Sequence, residues 1–219
     1  MSGQVDLFHA PLRFGSFAEL ESALLNLTGD PLEPEGGRIV IYRGNPAARL
    51  MIVGEAPGAE EDRLGQPFVG KSGKLLDAIL QSVGFDPAVD VFVTNSAFRR
   101  PRDNRKPTTE EIEWYRPWLT EIIRLIDPKV ILLTGAVALQ SVLDERRGIT
   151  KVRGEWFDLD GRKVMPIFHP AYLLRNPSSA EGSPKRLMWG DVQEVRRVLD
   201  ALDIRSASLR PPLEPQSDR

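Results

Sequence analysis

Four short apolar runs, Leu50 to Val53, Val91 to Thr94, Val130 to Thr134 and Val164 to Phe168, each give way to polar or Gly/Pro-rich chain. Stretches with helical spacing lie between and around them, at 73–83, 109–126, 136–143 and 185–202, with Thr108 or Thr109 placed to cap the second. The runs read as buried parallel strands. Their alternation with helices predicts an α/β three-layer sandwich, a central four-stranded parallel sheet flanked by helices, in which ligands bind beyond the carboxyl ends of the strands. Asp160-Gly161 reads as a hairpin turn feeding the last strand. Residues 17–27 read as an N-terminal helix, 31–37 as a loop, and the Pro- and Ser-rich tail from Ser206 as disordered. A single domain over 44–203 is expected, with 1–43 an extension of it and 204–219 a tail, since one core serves chains up to roughly 250 residues.

The chain has no cysteine. That excludes disulfides, cysteine nucleophiles, zinc–thiolate sites and a cysteine-held iron–sulfur cluster. With His9 and His169 its only histidines, no metal site is expected, and the expectation for cofactors is none. A net charge of −2 does not advertise a nucleic-acid binder, so any contact with DNA must come from a local patch. No signal peptide or membrane span is read, which predicts a cytoplasmic protein without membrane contact.

Three loops carry the chemistry. After the first strand stands Gly54-Glu55-Ala56-Pro57-Gly58, then Pro67-Phe68-Val69-Gly70. Glycines there let backbone N–H groups approach a ligand, with an acid aimed into the crevice; an ordinary strand-to-helix turn with a solvated acid has the same spacing. After the second strand, Asn95 offers an amide that can donate to a pyrimidine carbonyl and accept from a ring N–H, or serve as a turn residue. After the fourth, His169-Pro170-Ala171-Tyr172-Leu173-Leu174-Arg175 puts a histidine at the same edge.

In order and spacing these elements resemble the family-4 uracil-DNA glycosylases over about residues 44–202. The resemblance implies a uracil pocket at the strand ends and assigns roles by position. Glu55, with the backbone of Gly54 and Ala56, would position the attacking water and hold the sugar. Phe68 would stack on uracil, with a plain core aromatic as the alternative. Asn95 would read the base edge, and His169 would stabilise charge developing on uracil O2. Leu173 would wedge into the duplex, with Arg175 beside it on the DNA. These residue types suit the reaction, which creates an oxocarbenium-like sugar and a uracil anion from a base that must first leave its stack.

Family members typically hold an iron–sulfur cluster on four cysteines. Arg99 and Tyr115 stand where the third and fourth would fall, and the N-terminal pair has no counterpart around 31–37, so the cluster is expected to be absent. Arg99, Arg100, Arg102, Arg105 and Lys106 form a basic stretch read as a DNA-phosphate contact or a solvated loop, and Arg146, Arg147, Lys151 and Arg153 form a second. The expected function is a monofunctional DNA repair glycosylase, monomeric and nucleoid-associated when acting, on single- or double-stranded uracil-containing DNA. The alternatives are a glycosylase for another deaminated base and a non-catalytic module that binds uracil-containing or abasic DNA. A phosphate-binding transferase is disfavoured, because no Gly-Lys-Ser/Thr step ends the first loop.

Overall fold

A computed structural model describes residues 12–208. The four apolar runs form β2 (Leu50–Gly54), β3 (Val91–Asn95), β4 (Val130–Thr134) and β6 (Arg162–Ile167). They pair in parallel in the order β3-β2-β4-β6. The sheet is larger than the four strands expected. β1 (Tyr42–Gly44) adds antiparallel to β3 at one edge, and β5 (Phe157–Leu159) adds antiparallel to β6 at the other. The hairpin joining β5 to β6 turns at Asp160 and Gly161, both at positive φ (51° and 81°), as the sequence predicts. β1 escaped the sequence reading because Tyr42-Arg43-Gly44 is neither an apolar run nor a clean alternation.

Helices cover both faces. Alternate residues of the parallel strands supply the two cores: Met51, Val53, Phe92, Ile131 and Leu133 on one face, and Leu50, Ile52, Val93, Leu132 and Met165 on the other. Over the first face pack α1 (Phe17–Leu25), α4 (Thr109–Ile126) and α5 (Ala136–Leu143). Over the second pack α3 (Lys71–Ser82), α7 (Pro170–Arg175) and α8 (Pro184–Ser208). Two short helices, α2 (Ala59–Leu64) and α6 (Ile149–Val152), sit in the loops after β2 and β4. Thr108 caps α4 as expected: its hydroxyl accepts from Glu111 N–H, and Glu111 accepts from Thr108 N–H in return. Residues 206–208, assigned from sequence to a disordered tail, continue α8. The rest of that tail and His9 lie outside the described residues.

The N-terminal segment is tied down at two buried carboxylates, Glu121, which accepts from Phe14 N–H at 2.7 Å, and Asp30. Asp30 is 2 % exposed; it accepts from Arg99 Nε at 2.7 Å and from the hydroxyl of the fully buried Tyr115. Arg99 spends its remaining donors on the carbonyls of Gly37 and Leu27. Burial, reinforced by the neighbouring carboxylate, pushes the Tyr115 hydroxyl pKa up, so the phenol stays a donor. A second pair lies alongside, where Arg105 binds Glu35 and Glu111, both at 2.6 Å. Removing one partner of a buried pair leaves the other charge uncompensated, so Asp30→Ala should cost about 3 kcal/mol or more. Tyr115→Phe, which loses one hydrogen bond, should cost about 1 kcal/mol. Urea denaturation of the two variants checks the ranking, and an Asp30→Ala variant as stable as the parent would show the pair to be solvated.

Candidate active site

Because the four inner strands are parallel, the chain leaves each of them at the same edge. Glu55 follows β2, Asn95 ends β3, Gly135 follows β4 and His169 follows β6, and all four line one cleft of about 640 Å³. The sheet order reverses between β2 and β4, the place where open α/β sheets bind ligands. The base of this cleft is crowded at Gly54. A Cβ there would fall 2.3 Å from Asn95 Oδ1 and 2.5 Å from the Phe68 ring, so only glycine lets the three meet. Asn95 is 1 % exposed, and its Nδ2 has no hydrogen-bond partner among the described residues. An unpaired buried donor costs about 1–3 kcal/mol, which singles out this amide as a group awaiting an acceptor.

Phe68 stands against His169, ring centroids 5.8 Å apart and 28° from parallel. Its backbone adopts φ +56°, a left-handed conformation uncommon for a bulky side chain. His169 caps α7 through Nδ1, which accepts from Ala171 N–H at 3.1 Å. Nε2 therefore carries the hydrogen of the neutral ring. Burial, helped by the charge of Arg175 and opposed by that of Glu61, pushes the His169 pKa down to about 4, so the imidazole is neutral at neutral pH. Burial raises the Glu55 pKa, while the cations of Lys106 and Arg175 pull it back. The cleft thus holds a carboxylate between two exposed cations, a neutral N–H donor, an aromatic face and an unpaired amide.

Glu55, Ala56, Phe68, Asn95, His169, Lys106 and Arg175 all line the cleft. Leu173, expected as a wedge, does not: it is 2 % exposed and packs into the core with α3 and α8. The helical phase of α7 turns its neighbour outward instead, and Leu174 is 47 % exposed. The basic stretch also divides. The Arg99 side chain is 11 % exposed and committed to Asp30, and Arg105, though at the cleft, is held by Glu35 and Glu111. Arg102 and Lys106 are exposed, and Arg100 Nε donates to Asn104. In the second stretch, Arg153 pairs with Asp191, and Arg147 with Glu145 and Glu155.

Several supporting residues went unread in the sequence. Ser96 donates both N–H and hydroxyl to the Gly54 carbonyl, and Ala97 N–H reaches that of Glu55, fixing the first loop to β3. Gly135 and Thr150 complete the wall beyond β4. Glycine directly after an apolar run was the available signal for Gly135; nothing local marks Ser96.

Comparison with known proteins follows the same residues. The family model "Uracil DNA glycosylase superfamily" matches residues 41–193. A type-4 uracil-DNA glycosylase of Thermotoga maritima is 41 % identical over 174 residues, 78 % of this chain and 88 % of the relative. One from Archaeoglobus fulgidus is 40 % identical over 146 residues, 63 % of this chain and 73 % of the relative. A type-5 uracil-DNA glycosylase of Thermus thermophilus is 34 % identical over 125 residues, 51 % and 57 % of the respective chains.

These similarities correct the expectation of no cofactor. Two relatives at 40–41 % identity are named type-4 uracil-DNA glycosylases, the family that the sequence resemblance associates with an iron–sulfur cluster, so kinship argues for such a group rather than against it. The donors present do not fit a cysteine-held cluster. At the two positions that can be matched, Arg99 and Tyr115 offer a guanidinium and a phenol, and both are spent on Asp30.

The electrostatic layout makes a separable prediction. Lys106 lowers the pKa of Glu55, whereas Arg175 lowers those of Glu55 and His169. Lys106→Ala should therefore raise the Glu55 pKa without moving that of His169, and Arg175→Ala should raise both. NMR titration of the two side chains checks this; identical responses to the two variants would mean that the cations are not arranged as described.

Proposed function

The chain belongs to the uracil DNA glycosylase superfamily, and from that membership we propose that it flips uracil out of DNA and hydrolyses the N-glycosidic bond, leaving an abasic site. The observation that carries this reading is the unpaired Asn95 amide at the base of a cleft walled by Phe68 and His169. A pyrimidine carbonyl would accept from Nδ2, and the flipped ring would lie against an aromatic face. In the reaction the bond between C1′ and N1 breaks, with its electron pair going to the base. His169 Nε2–H would donate to O2 as negative charge gathers there, which the neutral imidazole can do because Nδ1 is engaged by Ala171 and its hydrogen is on Nε2. Glu55, the one carboxylate on this loop because Ala56 offers none, would stabilise the positive sugar and hold the water whose oxygen bonds to C1′. The proton released by that water balances the uracil anion. Nothing in this scheme uses an amine nucleophile, so the activity is monofunctional.

The decisive experiment incubates the protein with uracil-, hypoxanthine- and thymine-containing oligonucleotides and cleaves abasic sites with alkali. Scission confined to uracil is the expected result. His169→Ala should slow single-turnover excision by roughly two to three powers of ten, the usual cost of losing an oxyanion donor, and Glu55→Gln should also be slow. Binding of uracil-DNA without scission would reassign the protein as a binding module, and scission at hypoxanthine would reassign the base.

On the DNA side, Leu174 takes the wedge role in place of Leu173, and Arg102, Lys106 and Arg175 take the phosphates, while Arg99 and Arg105 brace the loop from within. Leu174→Ala should slow excision from duplex more than from single strands, since only the duplex must be held open. Leu173→Ala should instead lower stability, by about 2–5 kcal/mol for a buried leucine. Replacing Arg102 and Lys106 should lower the salt slope of binding by roughly 0.9 for each phosphate that is no longer neutralised. An unchanged slope would leave docking to Arg146 and Lys151.

A further inference from the structure

Glu61 is a buried carboxylate with more partners than its place in α2 requires. At the third position of that helix it accepts from Gly58 N–H through Oε2 at 3.2 Å, which alone would make it one half of a helix cap. Its other oxygen leaves the helix. Oε1 accepts from Val69 N–H at 3.0 Å and Gly70 N–H at 2.8 Å, eight and nine residues further along the chain. One side chain, 9 % exposed, thus joins the loop that carries Glu55 to the loop that carries Phe68.

Two of the three amides directly follow Phe68, the bulky side chain of the site that is held in left-handed backbone. Val69 follows Phe68 directly, and Phe68 is held at φ +56°. Left-handed backbone costs a non-glycine residue of order 1–3 kcal/mol and persists only where its surroundings impose it. Here they do so from three sides. Glu61 holds the two amides after Phe68, Gly73 lies so close that a Cβ would fall 1.8 Å from the Phe68 carbonyl oxygen, and the ring rests on the bare backbone of Gly54.

We propose that Glu61 is the positioning residue of the base pocket: by bridging Gly58 to Val69 and Gly70 it locks Phe68 in its left-handed conformation and sets the distance between the aromatic wall and the Glu55 loop. The proposal rests on reading the cleft as a uracil pocket. Glu61 touches neither base nor sugar and acts through Phe68. With the bridge cut, the backbone at Phe68 can relax toward negative φ, carrying the ring off Gly54 and away from the base that it should face. Displacements of about 1 Å at a reacting site cost roughly a hundredfold in rate.

Glu61→Ala tests this, because it removes both acceptor oxygens at once and leaves the amides of Gly58, Val69 and Gly70 without their partner. The expected results are a loss of hydrogen-exchange protection at the amides of Gly58, Val69 and Gly70, and a fall of about a hundredfold in single-turnover excision at saturating DNA. Affinity for undamaged DNA should not change. The same substitution made on Phe68→Ala should change the rate by less than about threefold, because two residues that act as one unit are not additive. An excision rate equal to the parent's overturns the proposal, as does the same fold loss with and without the Phe68 ring, which would mark a general structural role. Should Glu61→Ala fail to fold, Glu61→Asp, which keeps the charge but is too short to span both loops, is read in the same way. If the parent protein excises no uracil, the functional reading falls; exchange at Val69 and Gly70 together with the chemical shifts of the Phe68 ring then decides the role of Glu61 independently.

Discussion

The parallel pairing of β2 with β3 on one side and β4 on the other governs everything else in the molecule. Parallel strands all leave the sheet at one edge, and the reversal of order between β2 and β4 opens a crevice there that no helix fills. Residues more than a hundred positions apart, such as Glu55 and His169, become neighbours without any contact having to be arranged between them in sequence. The chemistry of the cleft is then decided by what each strand carries at its carboxyl end: an acid, an amide, a glycine and a histidine.

Charge is distributed with the same economy. The protein carries 29 basic and 31 acidic side chains, and near the cleft two of the arginines are matched by carboxylates from distant segments. Arg99 answers Asp30 and Arg105 answers Glu35, across 69 and 70 residues. These pairs pin the segment that precedes the sheet and shape the loop after β3, leaving a few exposed cations at the rim. A nearly neutral protein can in this way present a locally positive mouth.

What the sequence made legible follows from the range of the interactions involved. The four inner strands, the cap of α4, the turn at Asp160-Gly161 and the Glu55, Phe68, Asn95 and His169 constellation all rest on local pattern or on recognisable strings. Edge strand β1 was missed because a strand paired on one side only need not be apolar. The inward commitment of Arg99 and Arg105 was not legible, because positive charges adjacent in the chain say nothing of carboxylates seventy residues away. Leu173 was expected at the DNA surface and is buried, because two adjacent leucines on a one-and-a-half-turn helix cannot be phased until the helix is docked against α3 and α8. Glu61 escaped the sequence reading, for its second attachment lies outside its own helix.

Phe68 shows where such a site stands with respect to natural selection. Its backbone conformation is one that glycine adopts freely and phenylalanine adopts under constraint. A variant that relieves the backbone by giving up the ring would lose a buried core side chain, about 3–5 kcal/mol, more than the strain it removes. Selection for heat resistance and selection for the pocket therefore ask for the same side chain here, and the strain of its backbone is offset by the packing of its own ring.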